Sequence, residues 1–339
     1  MTELVIAVIF KSIIAFLVPL LAVPPLIWAE RRILGRIQSR VGPNRVGPFG
    51  LFQTLADAVK LLGKEDMIPA GADRALFILA PFLLLVPSFM AWSVVPIGTE
   101  LHIFGRVIGL YPTDLNVGVL YIVALTSVAV YGIVMAGWAS NSKYALLGSL
   151  RSSAQMISYE IMLGLALVGV VVLAGSLSLP EIVRQQQVPY AIPLFIGAFV
   201  FVCAALAETN RAPFDLPEAE TELVSGYHVE YSGARFMFFF LAEYANMVLV
   251  SFLVSAVFLG GGWPAQLLEP YIGHLFTTLL AVGIMMSKVL LFLFFYFWIR
   301  ATLPRFRYDQ MMNFCWKVLL PLGLVNLAVA TVLKLTIYA

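Results

Sequence analysis

Long apolar runs alternate with short charged connections along the whole chain. A bilayer core about 30 Å thick takes roughly 20 apolar residues per helix. Eight segments meet that demand: 4–28, 75–96, 115–137, 155–175, 190–209, 236–260, 276–299 and 314–337. The pattern predicts an all-α polytopic membrane protein with eight transmembrane helices. One further run is of a different kind. Leu51, Leu55, Val59 and Leu62 recur at helical spacing, while Phe52, Gln53, Thr54, Asp57, Lys60 and Lys64 fill the other faces. Too short and too charged to span, this run predicts an interfacial amphipathic helix in the first cytoplasmic loop. A cytosolic helix packed on a partner protein would have the same periodicity. Just before it, RVGPNRVGPFG is punctuated by Gly42, Pro43, Gly47, Pro48 and Gly50, which predicts turns.

Pro81, Pro87, Pro189, Pro193 and Pro321 fall in or beside the spans, where neighbouring helices re-satisfy the carbonyls that proline frees. No repeat, low-complexity tract or linker divides the chain, so residues 1–339 read as a single membrane domain. Lys11 lies inside an apolar run with no short h-region and no small-residue cleavage site, which reads as a retained span.

Composition agrees and narrows the class. An apolar fraction of 61%, a charged fraction of 12% and a mean hydropathy of +0.94 exclude a soluble domain of this length. A net charge of +2 gives no footing for nucleic acid. Cys203 and Cys315 are too few and too far apart for a disulfide framework, a zinc site or an iron–sulfur cluster.

The basic residues are ordered by topology. The odd-numbered loops hold Arg31, Arg32, Arg36, Arg40, Arg45, Lys60, Lys64, Arg74, Lys143, Arg151, Arg211, Arg235, Arg300, Arg305, Arg307 and Lys317, which is 16 of 21. The even-numbered loops hold only Arg106 and Arg184. By the positive-inside rule the odd loops face the cytoplasm and both termini are extracytoplasmic.

Acids carry the candidate chemistry. The stretch 207–235 contains Glu208, Asp215, Glu218, Glu220, Glu222 and Glu230, six of the 19 acids. Glu160, Glu208 and Glu243 lie in the spans within roughly 10 Å of the same face, counting 1.5 Å per residue. A hydrated acidic path entering the membrane from the cytoplasm is one arrangement they allow. Lys288, near the middle of the seventh span, stands where such a path needs its next station. An embedded carboxylate responds strongly to desolvation and to nearby charge, which is what a proton relay requires. Structural ion pairs are the alternative. His102, His228 and His274 all fall in loops, so no pair ligates a haem between spans. No GxGxxG, Walker, HExxH or Ser-His-Asp pattern is present, so electrons or ATP, if used, are handled by another chain.

The segments ERRILGRIQSRVGPNRVGPFGLFQTLADAVKLLGKED at 30–66 and ETNRAPFDLPEAETELVSGYHVEYSGARF at 208–236 resemble the two hallmark loops of a known family. That family is the quinone-site membrane subunit of respiratory complex I, the H subunit of NADH-quinone oxidoreductase, and the resemblance covers essentially the whole chain. It implies a subunit of a proton-translocating NADH:quinone oxidoreductase that has no redox centre and is not catalytic alone. With peripheral-arm subunits it would form the chamber for ubiquinone or a related quinone, and it would couple quinone reduction to proton movement. FMN and iron–sulfur clusters would sit on partner subunits. Other expected partners are small membrane subunits beside the antiporter-like subunits, and lipid. The location would be the bacterial inner membrane, or the mitochondrial inner membrane for an organellar source. By the same resemblance the acidic funnel comprises Glu208, Glu218, Glu220 and Glu243, with Glu160 continuing it. Arg31, Arg40 and Arg45 would belong to the chamber rim and docking surface, and Arg211, Asp215 and Arg300 would line the chamber. Two other classes share the embedded acids: a cation–proton antiporter, for which paired broken helices are expected, and the homologous anchor of an energy-converting hydrogenase.

Overall fold

The computed structural model describes residues 2–98, 100–103, 106–215 and 224–336. Among the described residues seven helices are long and apolar enough to cross a membrane. We number the helices in chain order: α1 (Thr2–Ile37), α2 (Gln53–Leu62), α3 (Arg74–Val94), α4 (Gly118–Ala139), α5 (Lys143–Ala174), α6 (Leu179–Gln185), α7 (Phe195–Glu208), α8 (Gly233–Phe258), α9 (His274–Thr302) and α10 (Tyr308–Thr336).

Two helices run well past the apolar segments that predicted them. The first continues to Ile37, so Arg31, Arg32 and Arg36 belong to its last turns and not to a loop. The fourth predicted span starts twelve residues early, at Lys143. At 1.5 Å per residue α5 is about 48 Å long, so its first turns project beyond the hydrocarbon. Hydropathy marks where lipid ends, whereas backbone hydrogen bonding continues until a residue stops it. Here Gly175, at φ 72, closes α5 with a left-handed cap.

The predicted fifth span, 190–209, is helical only over Phe195–Glu208, 14 residues or about 21 Å. Pro193 lacks an N–H, and the chain from 190 to 194 turns before the helix begins. The structure also adds a two-stranded antiparallel hairpin, β1 (Glu100–Ile103) and β2 (Arg106–Gly109), with Glu100 opposite Gly109.

Helix α5 is the central element, packed on α4, α7 and α10, while α8 packs on α1, α3 and α9. Close approach has local causes. A Cβ at Gly132 of α4 would stand 2.8 Å from the Leu84 nitrogen of α3, so the helices meet backbone to backbone. Asp73 starts α3 by accepting hydrogen bonds from the Ala75 and Leu76 amides.

The amphipathic helix forms as α2. Its Asp57 is held by Arg31 at 2.6 Å and by Gln53 at 3.2 Å, tying it to α1. Partial burial pushes the Asp57 pKa up, but Arg31, Gln53 and Lys60 together outweigh burial, so the carboxyl stays below its usual range. Leu55, Val59 and Leu62 are more than half exposed, so most of the apolar face of α2 is left uncovered by the described residues.

Candidate functional site

At the arginine-rich end of the bundle three helices and one turn bring charge into a buried cluster. The turn is made by Thr209 and Asn210. Thr209 bonds back to the Ala205 carbonyl through both its amide and its hydroxyl. Asn210 takes a left-handed conformation at φ 48, which asparagine tolerates better than most residues. The chain then doubles back, and Arg211 donates its amide to the Leu206 carbonyl at 3.3 Å. That reversal points the Arg211 guanidinium inward, where its side chain is 7% exposed.

Arg211 meets Glu243 of α8 at 2.7 Å and Glu30 of α1 at 3.4 Å. It also lies 4.3 Å from the Tyr244 ring centre, in cation–π contact. Glu30 accepts a further hydrogen bond from the Tyr244 hydroxyl at 2.8 Å and pairs with Arg300, in the last turn of α9. Two carboxylates and two guanidiniums thus form one neutral group. A charge in such a place is costly unless both its Coulomb and its hydrogen-bonding needs are met, and here each carboxylate has an arginine. On the outer edge Arg305 pairs with Asp215 at 3.0 Å, which closes the far end of the same turn.

A second group differs in kind. Glu208, the last residue of α7, is 9% exposed and hydrogen-bonds Thr126 of α4. Glu160 of α5 accepts from Ser127, the next residue on α4. Adjacent hydroxyls thus receive two acids from two helices, close enough to repel one another. Among the described residues neither acid forms a salt bridge, and Glu208 Oε2 is buried without a hydrogen-bond partner. Two uncompensated carboxylates in a low-dielectric interior are costly to ionise together. Tyr296 of α9, 5% exposed, lies between the groups, beside Thr209 and within electrostatic reach of both Glu208 and Arg211.

The sequence-predicted residues therefore fall into separate places. Glu160 and Glu208 come together; Glu243 instead joins Arg211 and Arg300 in the ion cluster. Glu218 and Glu220 lie outside the described residues. Lys288 is elsewhere, donating to the carbonyls of Leu259, Gly261 and Trp263 at 2.7, 2.8 and 2.7 Å. Those carbonyls belong to the turns that follow α8, and an ammonium with three donors satisfies all of them. Lys288→Met keeps the length and removes the donors, and is expected to destabilise the protein by about 3 kcal/mol. Thermal unfolding of the detergent-solubilised protein reads this directly, and an unchanged midpoint would refute it. Arg31 pairs with Asp57, while Arg40 reaches Gln38 and Arg45 is exposed. Arg32, Arg36 and Arg40 with residues 41–44 line a surface concavity of about 220 Å³. His228, in the turn before α8, packs edge-on to Tyr227, Phe236 and Phe240. Burial lowers its pKa to about 4, so it adds no positive charge at neutral pH.

Among the site residues that sequence reasoning missed are Glu30 and Gln155, which organise the site, and Tyr244 and Tyr296 beside them. Glu30 stands just beyond the predicted first span, yet Val23, Leu26 and Glu30 share one buried helical face, and continuing that period past residue 28 would have found it. Gln155, fully buried on α5, holds the turn that carries Arg211, and no local pattern marks it.

A family model described as NADH dehydrogenase matches residues 10–331. The H subunit of NADH-quinone oxidoreductase from Thermomicrobium roseum is 53% identical over 319 residues, 91% of this chain and 90% of the relative. An H subunit of the same enzyme from Koribacter versatilis is 50% identical over 336 residues, 94% of each chain. That of Rickettsia typhi is 51% identical over 331 residues, 96% of this chain and 93% of its own.

Proposed function

The chain belongs to the family of NADH-quinone oxidoreductase H subunits, and from that premise we propose that it walls the quinone site of a proton-translocating complex and couples quinone reduction to proton movement. What carries this is one turn, 207–215, which joins the two charge groups. Its first acid, Glu208, belongs to the unpaired carboxylates inside the bundle, its Arg211 to the ion cluster, and its Asp215 to the outer edge. A displacement of that turn by chemistry at the outer edge changes the field at Glu208 and Glu160, and the proton affinity of a buried acid follows its field.

In this reading the protein has eight spans, α7 being the short one. The arginine-rich end faces the cytoplasm or its equivalent, with both termini on the other side. The membrane is the bacterial inner membrane, or the mitochondrial one for an organellar source. The substrate is ubiquinone or a related quinone. Partner subunits bear the FMN and the iron–sulfur clusters, and the chain is not catalytic alone. The chamber is completed by peripheral-arm subunits: the voids between α7, α8 and α9 and beside 262–266 are each about 10 Å³, and the concavity at Arg32, Arg36 and Arg40 is about 220 Å³. A headgroup and tail need several hundred. Arg31, Arg40, Arg45, Asp215 and Arg300 face that arm, while the exposed face of α2 meets lipid or a partner. Glu160 lies on the side towards the antiporter-like subunits and their small membrane neighbours.

Purification in mild detergent, with identification of partners and an NADH:quinone reductase assay, tests the proposal. A complex containing flavin and iron–sulfur subunits, with activity sensitive to a quinone-site inhibitor, is the expected result. A lone chain that moves protons or sodium in liposomes would overturn it in favour of a transporter. A complex with hydrogenase subunits and no quinone reduction would do so in favour of an energy-converting hydrogenase.

A further inference from the structure

The Gln155 side chain is buried on α5, five residues before Glu160. Its Nε2 donates to the Ala207 carbonyl at 2.7 Å, to the Phe214 carbonyl at 2.8 Å and to Asn210 Oδ1 at 3.2 Å. The three acceptors mark the last turn of α7, the left-handed residue where the chain reverses, and the residue before Asp215. Nothing else described ties both ends of the turn to one side chain of α5. The next residue, Met156, receives the other end of the same asparagine, Asn210 Nδ2, at 3.8 Å from its sulfur. An amide is the one uncharged side chain of this reach with two donors on one atom.

We propose that Gln155 is a positioning residue that pins the 207–215 turn to α5, and so fixes both the seat of Arg211 and the separation of Glu208 from Glu160. Glu160 is on the same helix as the pin and Glu208 is on the pinned segment. A shift of the turn therefore moves Glu208 against Glu160, and Gln155 is the side chain that resists it. The coupling role rests on the function proposed above; the pin itself does not.

The substitution that isolates the role is Gln155→Glu. Ionised, the new carboxylate has no donor and faces three oxygens; protonated, it has one O–H to give. Charged or titratable side chains on the elements around it include Glu208, Arg211 and Asp215 on the turn, Arg151, Tyr159 and Glu160 on α5, Cys203 on α7, Tyr227 and His228 on the 226–228 turn, and Tyr308, Asp309, Cys315 and Lys317 on α10. In membrane vesicles, inhibitor-sensitive quinone reduction by Gln155→Glu, relative to wild type at each pH, is expected to fall roughly tenfold between pH 6 and pH 8 and to recover on return. Gln155→Leu is expected to be lower by roughly tenfold at every pH. NADH oxidation by an artificial acceptor, which reports the peripheral arm, stays unchanged in both. Reversibility within one preparation excludes failed assembly as the cause.

Hydrogen exchange of the backbone over 207–215 supplies the second readout, faster in Gln155→Glu at pH 8 than in wild type and near wild type at pH 6. A Gln155→Glu loss equal at all pH values, or wild-type turnover in both variants, would overturn the proposal. So would wild-type exchange over the turn at pH 8. Normal turnover with altered exchange would leave the pin and remove its coupling role, overturning the proposal as stated. Wild-type vesicles lacking inhibitor-sensitive quinone reduction would instead overturn the functional reading, and exchange alone would then decide the pin.

Discussion

Arg211→Ala is expected to reduce inhibitor-sensitive quinone reduction by a factor of a hundred or more, with loss of assembled complex. The side chain is 7% exposed and lies against Glu30 and Glu243, themselves 3% and 10% exposed. Removing one member of a buried ionic group leaves the others uncompensated, which costs about 3–5 kcal/mol. At about 1.4 kcal/mol per factor of ten, that is a few hundredfold or more between the native and displaced arrangements of the turn. Arg300 remains beside Glu30, so the main injury falls on Glu243.

Arg211→Lys separates charge from geometry. Lysine keeps the charge but lacks the planar fork that meets two carboxylates and stacks on Tyr244, so an intermediate loss is expected. Arg305→Ala is the contrast. Its side chain is 45% exposed and its pair with Asp215 is worth about 1 kcal/mol or less. Quinone reductase rates and the amount of complex in native gels measure all three, and a near-normal Arg211→Ala enzyme would discard the ion cluster as an organising element.

What the sequence made legible follows from the physics of each feature. Segments 75–96, 115–137, 236–260, 276–299 and 314–337 match α3, α4, α8, α9 and α10 closely, because lipid demands a continuous apolar run and a run is a local signal. The long ends of α1 and α5 were not legible, because a helix leaving the bilayer is no longer selected for hydropathy. Turns at 40–50 were readable from glycine and proline, and the amphipathic α2 from its period. The charge cluster was only half readable. Glu243 and Arg211 were conspicuous as charges, but their partnership joins positions far apart in the chain. Arg211 and Glu30 are 181 residues apart, and Gln155 lies 52–59 residues from its acceptors. No periodicity reports such pairs. Depth and the family resemblance group Glu243 with the other embedded acids, and neither reports that its nearest charge is Arg211, at 2.7 Å.

That regrouping gives the acids different expected behaviour on neutralisation. Glu208→Gln keeps volume and can keep the hydrogen bond from Thr126, and it removes no salt-bridge partner, since none exists for Glu208 among the described residues. Stability should change by less than about 1 kcal/mol. Glu243→Gln, by contrast, withdraws the carboxylate 2.7 Å from Arg211 and should lower assembly and turnover together. If the Glu208–Glu160 pair carries the proton, Glu208→Gln loses pumping while the complex stays assembled. Removing a general acid–base from a transfer step costs a factor of roughly a hundred or more in that step. Protons moved per quinone reduced in sealed vesicles should therefore fall by at least about tenfold, with artificial-acceptor activity unchanged. Glu160→Gln should do the same, since the two acids share adjacent hydroxyls on α4. The double variant should be no worse than either single one, because a relay broken once is already open. A wild-type proton ratio in Glu208→Gln would remove this acid from the path. A loss confined to Glu243→Gln would place the coupling in the ion cluster, with the arginines, and not the unpaired acids, as the responding charges.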